Sequence, residues 1–186
     1  MNYMPPIDSI LDIGANIGEW TKHARTLWPD ARYHLIEANP SCEAALQATG
    51  ENYTIQLLGV GYHPKKSFFS CGPNATGASV YCELTELYYG CEPILLEQCT
   101  LDDMSLGQFD LIKIDTQGSE LDILRGGYET VDKAKAVLLE VTVIPFNQGA
   151  PLITEVVQYM IDIGFPRYEV VSTNSVYQMD LMFLRE

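Results

Sequence analysis

What most constrains this chain is an alternation of short apolar runs with helical patterns. "SILDIG" (9–14) is a run of the kind a buried parallel strand shows, and it ends at Gly14. Trp20, Ala24, Leu27 and Trp28 then recur at helical spacing until Pro29. "RYHLIE" (32–37) predicts a second strand, Asn39-Pro40 opens a second helix carrying Ala44, Ala45 and Leu46, and "YTIQLLGV" (53–60) predicts a third strand. The order strand, helix, strand, helix, strand is that of a parallel sheet covered by helices.

The helical period then lapses. Between 61 and 92, short β-prone pieces alternate with Gly, Pro, Asn and Ser, which predicts a β-hairpin or loop insertion. Regularity returns with the strand "FDLIKID" (109–115), the helix "SELDILRG" ended by Gly126-Gly127, and the buried strand "AVLLEVT" (136–142). Ile153, Val156, Val157, Met160 and Ile161 mark one face of a further helix that Gly164 stops. The last two runs, "RYEVVS" and "SVYQMDLMFLRE", are joined by a few residues around Thr173-Asn174. A parallel crossover needs about a dozen residues or more, so they form an antiparallel pair. The expected fold is α/β: a doubly wound, mostly parallel, seven-stranded sheet with an antiparallel C-terminal hairpin and a β/loop insertion around 61–92. At 186 residues and 47% hydrophobic composition, residues 1–186 suit a single domain.

Composition excludes some partners. A formal charge of -14 with 11 basic residues repels polyanions, so nucleic acid is not expected as partner or substrate. No apolar run reaches the roughly 20 residues of a membrane helix, and "MNYMPPIDSI" lacks the regions of a signal peptide, so the expectation is a cytoplasmic chain without a membrane partner. Cys42, Cys71, Cys82, Cys91 and Cys99 are widely spaced without a C-x-x-C, which predicts free thiols rather than disulfides or a zinc site. No metal is expected. Asp102-Asp103 with Asp115 shows no convergence of oxygen ligands, and Glu120 and Asp122 suit the first turn of a helix.

In doubly wound sheets ligands bind beyond the carboxyl ends of the strands. "DIGANIG" places glycines in the turn after the first strand, where the backbone can approach a ligand at a helix N-terminus. Taken alone, such a turn is equally a tight connection. Glu37, 23 positions after Gly14 and closing the second strand, adds an acid where ribose hydroxyls are held, and the pair predicts a ribose-bearing cofactor. A pyrophosphate fingerprint would have a glycine where this chain has Asn16, so a dinucleotide fits poorly.

The turn resembles the D-x-G-x-x-x-G signature of class I S-adenosylmethionine-dependent methyltransferases. "LDIGANIGEWT", "HLIEANP", "TLDDM" and "FDLIKIDTQGSELDILRGG", followed by "VLLEVT", resemble the FkbM family of methyltransferases over residues 9 to about 143. Its members generally methylate hydroxyl oxygens of sugars, polyketides and other small molecules. The resemblance implies a Rossmann-like fold, S-adenosylmethionine as cofactor and a small-molecule hydroxyl acceptor. It also implies that Gly14, Ala15, Asn16 and Gly18 carry the methionine part, and that Asp12 either orients the turn or reaches the amino group through water. Glu37 would take the ribose hydroxyls, Ala38 and Val60-Gly61 would flank the adenine, and Asp115 would face the methyl-donor end. Where the family usually has Glu, this chain has Gln117.

A hydroxyl acceptor must lose its proton, for which Asp115, then Glu140 and His63, are the candidate bases. Tyr81, Tyr88, Tyr89, Phe68 and Phe69 would either form a lid over the substrate or pack the insertion onto the sheet. Two other functions remain open: an NAD- or nucleotide-sugar-binding oxidoreductase on a similar sheet, and a cofactor-binding module without turnover.

Overall fold

The structure, a computed structural model, describes residues 4–70, 76–88, 90–173 and 175–185. Its main sheet has seven strands: β1 (Ser9–Ile13), β2 (Arg32–Glu37), β3 (Asn52–Ile55), β7 (Leu111–Ile114), β8 (Ala136–Thr142), β9 (Arg167–Ser172) and β10 (Gln178–Leu184). Their order is β3-β2-β1-β7-β8-β10-β9. The first five run parallel, while β10 is antiparallel to both β8 and β9. The short link after β9 forces that reversal, as its length predicts.

Successive residues of a strand face opposite sides, and the central strands use both. Leu11 and Ile13 of β1, Ile112 and Ile114 of β7, and Val137, Leu139 and Val141 of β8 enter one core. They meet Leu121, Ile123 and Leu124 of α3 (Glu120–Gly126) and Val156 and Met160 of α5 (Ile153–Asp162). Ile10, Leu111, Ala136 and Leu138 enter the opposite core, with Ala24 of α1 (Glu19–Leu27) and Leu46 of α2 (Glu43–Thr49). Asp12, Lys113 and Glu140 occupy positions of this second set, so the alternation places three ionisable side chains on one face of the sheet. A short helix, α4 (Tyr128–Val131), follows α3.

One strand differs from expectation. Residues 53–60 do not form a single strand, because the chain leaves the main sheet at Gln56. Its N–H makes the last bond there, to Glu37 O at 2.8 Å, and its side-chain amide then donates to Leu57 O and Glu97 O. Beyond it, β4 (Leu57–Leu58) belongs to a separate three-stranded sheet with β5 (His63–Phe68) and β6 (Ile94–Cys99), in the order β4-β6-β5. The insertion is thus a β-hairpin whose second strand, β6, lies just past its expected end. The approach of α3 to this sheet explains Gly126: a Cβ there would lie 2.1 Å from the Gly59 carbonyl oxygen.

Cys91 is disulfide-bonded, which corrects the expectation of free thiols throughout. Spacing along the chain does not decide which sulfurs meet once the insertion folds back. Cys82 and Cys99 are free thiols, Cys42 is a buried thiol, and Cys71 lies outside the described residues. Among the described residues no helix is long and apolar enough to cross a membrane.

Candidate active site

A cleft of about 620 Å³ opens at the carboxyl ends of β1, β2, β7 and β8, bounded on its far side by the insertion. The turn after β1 forms one wall. Gly14 has φ +77°, and a Cβ on it would sit 1.7 Å from the Asp115 carbonyl oxygen, so only glycine lets this turn lie against the end of β7. Asn16 is also left-handed, at φ 49°, a conformation asparagine tolerates better than most residues. The N–H groups of Gly14 and Ala15 both donate to Ile36 O, at 2.9 and 3.1 Å, and that of Gly18 donates to Ala15 O at 2.8 Å. Gly14 and Asn16 line the cleft, whereas Ala15 packs in the α1-side core and Gly18 caps α1. Ala15 and Gly18 shape the turn without facing the cleft.

Glu37 stands at the cleft wall, buried to 7% exposure. Its Oε2 accepts from Asn16 N at 2.7 Å and its Oε1 from Asn39 N at 2.8 Å. Burial pushes its carboxyl up, and these backbone donors together with Lys113 pull it back. Each oxygen keeps acceptor capacity beyond one backbone bond, which suits a diol. Ala38 lines the cleft beside Glu37. The opposite apolar edge is Leu57, Leu58 and Phe68, not Val60 and Gly61. Val60 is 56% exposed, because the chain turns away at Gln56 rather than continuing in the sheet.

Asp12 is fully buried, away from the cleft. It accepts from Thr21 Oγ1 at 2.6 Å, tying α1 to β1, and its Oδ1 lies 3.2 Å from Lys113 Nζ. Lys113 Nζ is also 3.4 Å from Asp115 Oδ2 and donates to Gly14 O at 3.2 Å. Burial alone would lower the Lys113 ammonium, but Asp115 and Asp12 outweigh it and hold it above its usual range. Burial likewise would raise Asp115, yet Lys113, Glu140 and Gln117 hold its carboxyl below the usual carboxylate range. One third of the Asp115 side chain remains open to the cleft.

Asp115 and Glu140 are brought together across β7 and β8. Gln117, left-handed at φ 56°, places its Nε2 2.9 Å from Asp115 Oδ1 and 2.5 Å from Glu140 Oε2. Gln178, at the start of β10, donates to Glu140 Oε2 at 2.7 Å and to Gln117 Oε1 at 3.0 Å. The loop between β7 and α3 is held by Glu120, whose carboxylate accepts from Thr116 N at 2.8 Å and from Gly118 N at 3.0 Å. Burial outweighs these bonds and pushes Glu120 up to about 7. Glu120 therefore positions the loop and does not reach the cleft.

His63 is exposed on β5, accepts from Lys65 N through Nδ1 at 3.2 Å, and does not line the cleft; the hairpin carries it outward. Of the aromatic residues in the insertion, Phe68 and Tyr88 line the cleft, while Tyr81 donates through its hydroxyl to Asp122 at 2.7 Å and packs the insertion onto α3. Tyr89 lies outside the described residues. Asp102 accepts from Glu129 N and Thr130 N at the start of α4, and Asp103 from Thr100 N. Among the described residues no group of three or more His, Cys, Asp or Glu is placed to hold a metal ion.

Lys113 and Gln178 are the residues that sequence reasoning missed. A lysine inside "FDLIKID" was a legible sign of a buried charge in a strand. Gln178 carried no local sign, since only the antiparallel pairing of β10 with β8 brings it to Glu140.

The sequence matches the model of the methyltransferase FkbM domain over residues 12–167. No curated protein matches the sequence. The fold is similar to methyltransferase FkbM from Methylobacillus flagellatus KT, with a TM-score of 0.65 and 17% identity, covering 95% of this chain and 43% of that one. It is also similar to precorrin-6y C5,15-methyltransferase from Geobacter metallireducens GS-15, with a TM-score of 0.53 and 16% identity, over 98% of this chain and 82% of that one. A third similar fold is magnesium protoporphyrin IX methyltransferase from Synechocystis PCC 6803, solved with bound SAM. There the TM-score is 0.53 and the identity 15%, over 98% of this chain and 71% of that one. The chain spans less than half the length of the FkbM structure from Methylobacillus flagellatus. Family and fold together imply S-adenosylmethionine as cofactor, and the chain belongs to the FkbM methyltransferase domain family.

Proposed function

We propose that residues 1–186 act as a single domain that binds S-adenosylmethionine in this cleft and methylates a hydroxyl oxygen of a sugar or other small metabolite. The observation that carries this reading is the placement of Glu37 and Asp115 at opposite sides of one cleft, joined by the Gly14 turn. Glu37 offers a carboxylate to ribose hydroxyls, with Ala38 beside it and Leu57 and Leu58 on the opposite edge as apolar surface for a base. Gly14, Asn16 and Asp115 border the amino-acid and sulfonium end, where carboxylates suit a cation.

When bound, the cofactor supplies an electrophilic methyl group whose transfer is an in-line displacement from sulfur. The chain's own part is alignment and proton removal. Asp115 and Glu140 are the carboxylates at the cleft positioned to receive the acceptor's proton, and Gln117 and Gln178 orient them. Phe146, Tyr88 and the two carboxamides give the adjoining wall both aromatic and hydrogen-bonding surface, the combination that a polyol ring uses.

Calorimetry with S-adenosylmethionine, S-adenosylhomocysteine and NAD tests the reading. Binding of both methionine cofactors without NAD binding is expected, and tight NAD binding with no binding of the others overturns it. Mass spectrometry of a hydroxylated acceptor panel then reads the methyl transfer itself. Binding without turnover on any acceptor would instead favour a cofactor-binding module.

A further inference from the structure

We propose that Asp115 and Glu140, poised by the carboxamides of Gln117 and Gln178, form one proton-holding pair. It releases its proton when the positively charged methyl donor binds, and takes one from the acceptor hydroxyl as that charge is lost. The proposal rests on the methyltransferase reading above and adds to it a link between cofactor charge and protonation.

The geometry comes from the sheet. The parallel register of β7 and β8 pairs Ile114 with Leu139, and one step further it brings Asp115 beside Glu140. One nitrogen, Gln117 Nε2, donates to both carboxyl groups, at 2.9 Å to Asp115 Oδ1 and 2.5 Å to Glu140 Oε2, so the two acids share one site. Like charges that close disfavour ionising both, which favours one proton on the pair. The carboxamides leave little freedom about where charge sits. Gln117 spends both amide hydrogens on Asp115 and Glu140, and its oxygen accepts from Gln178, whose other amide hydrogen goes to Glu140. All four donated hydrogens stabilise the pair or the chain that holds it. A glutamate in place of Gln117 would donate nothing and would add a third carboxylate, so the departure from the family pattern has a physical consequence here.

The surrounding charges set the pair's response. Lys113 on β7 faces it but is shared with Asp12 on β1, at 3.2 Å, as well as with Asp115 at 3.4 Å. The acids nearby are Glu120 on α3, Asp180, which is the register partner of Glu140 on β10, and Glu37 and Glu83 on the cleft wall. One shared cation among these acids favours keeping a proton on the pair. A sulfonium arriving in the cleft adds the positive charge that the dianion needs. The pair's O–H bond then breaks, its electrons stay on the carboxylate oxygen, and the proton passes to solvent. During transfer the acceptor's O–H proton returns to that oxygen, the acceptor oxygen bonds the methyl carbon, and the C–S electrons remain on sulfur. Atoms and charge balance.

The test compares S-adenosylmethionine with S-adenosylhomocysteine, which differ by the methyl group and its charge. Calorimetry near neutral pH, in buffers of contrasting ionisation enthalpy, reads the protons exchanged. Proton release with S-adenosylmethionine and much less with S-adenosylhomocysteine is expected. Affinity for the charged ligand should climb by up to about tenfold per pH unit below the pair's midpoint, with a flat profile for the neutral one. Glu140→Gln should abolish the difference while both ligands still bind, and Gln178→Met should move the release to higher pH. Equal proton release by both ligands overturns the proposal, as does a difference that survives Glu140→Gln. If neither ligand binds the folded protein, the methyltransferase reading falls and this proposal with it. If both bind with equal release, only the proton link fails. The wild-type comparison decides the matter even if a variant does not fold.

Discussion

Gly14 and Asp115 meet backbone to backbone: a Cβ on Gly14 would lie 1.7 Å from the Asp115 carbonyl oxygen. The turn after the first strand and the end of the fourth parallel strand are therefore one packed unit, and the walls of the cleft share a foundation. Gly14→Ala adds this clash to the cost of a side chain at φ +77°. The expected loss is at least about 2 kcal/mol in urea denaturation, together with weakened cofactor binding. A variant as stable as the parent would show that the turn does not need glycine.

Glu37→Ala should weaken S-adenosylmethionine binding by about 1.5 to 3 kcal/mol, the scale of hydrogen bonds to a charged group. It also leaves the N–H groups of Asn16 and Asn39 without their carboxylate, so a drop in stability of the ligand-free protein accompanies it. Glu37→Gln keeps an acceptor for one of those donors and separates the two effects. Calorimetry beside thermal unfolding checks both, and unchanged affinity removes Glu37 from the ribose role.

Lys113→Met leaves Asp12 buried at 0% exposure without its cation. Breaking such a pair from one side costs about 3–5 kcal/mol. Adding Asp12→Asn should recover part of that loss, because the stranded charge is removed. Denaturant midpoints of the two single variants and the double variant measure the coupling, and additive losses would mean the pair is not coupled.

Glu120 gives stability a pH dependence of definite sign. Its carboxyl is raised from 4.5 to about 7 by burial, so the folded protein holds a proton that the unfolded chain has released between those values. This group's contribution to stability is thus present below about 4.5 and lost as pH rises through 7, by about 3 kcal/mol in full. Asp115 acts in the other sense and lower: its depressed carboxyl adds stability above 3.8 that is lost as pH falls below that value. Urea midpoints between pH 5 and 8 should fall with rising pH in the parent and flatten in Glu120→Gln. Equal slopes would remove Glu120 as the cause.

His63→Ala should leave the affinity for S-adenosylmethionine within about twofold, since the ring is exposed on β5 outside the cleft. A large loss would mean that the hairpin folds over the ligand.

Much of the fold could be read from local pattern, because buried strands and helix faces are written in the order of apolar residues. Gly14, Glu37 and Asp115 were legible as strand-end residues for the same reason. The third strand was not, since "YTIQLLGV" reads as one continuous β-prone run and nothing in it shows that Gln56 makes the last main-sheet bond. That single break moved the cleft edge from Val60-Gly61 to Leu57-Leu58 and carried His63 away.

The sequence by itself determined the alternation of strands and helices, the antiparallel C-terminal pair and the family, all of which depend on residues near one another in the chain. Only the tertiary structure decided the partners of the charges. Lys113 between Asp12 and Asp115, and Gln178 against Glu140, join strands far apart in sequence. Their meeting depends on strand order and register, which side-chain chemistry along one segment does not encode.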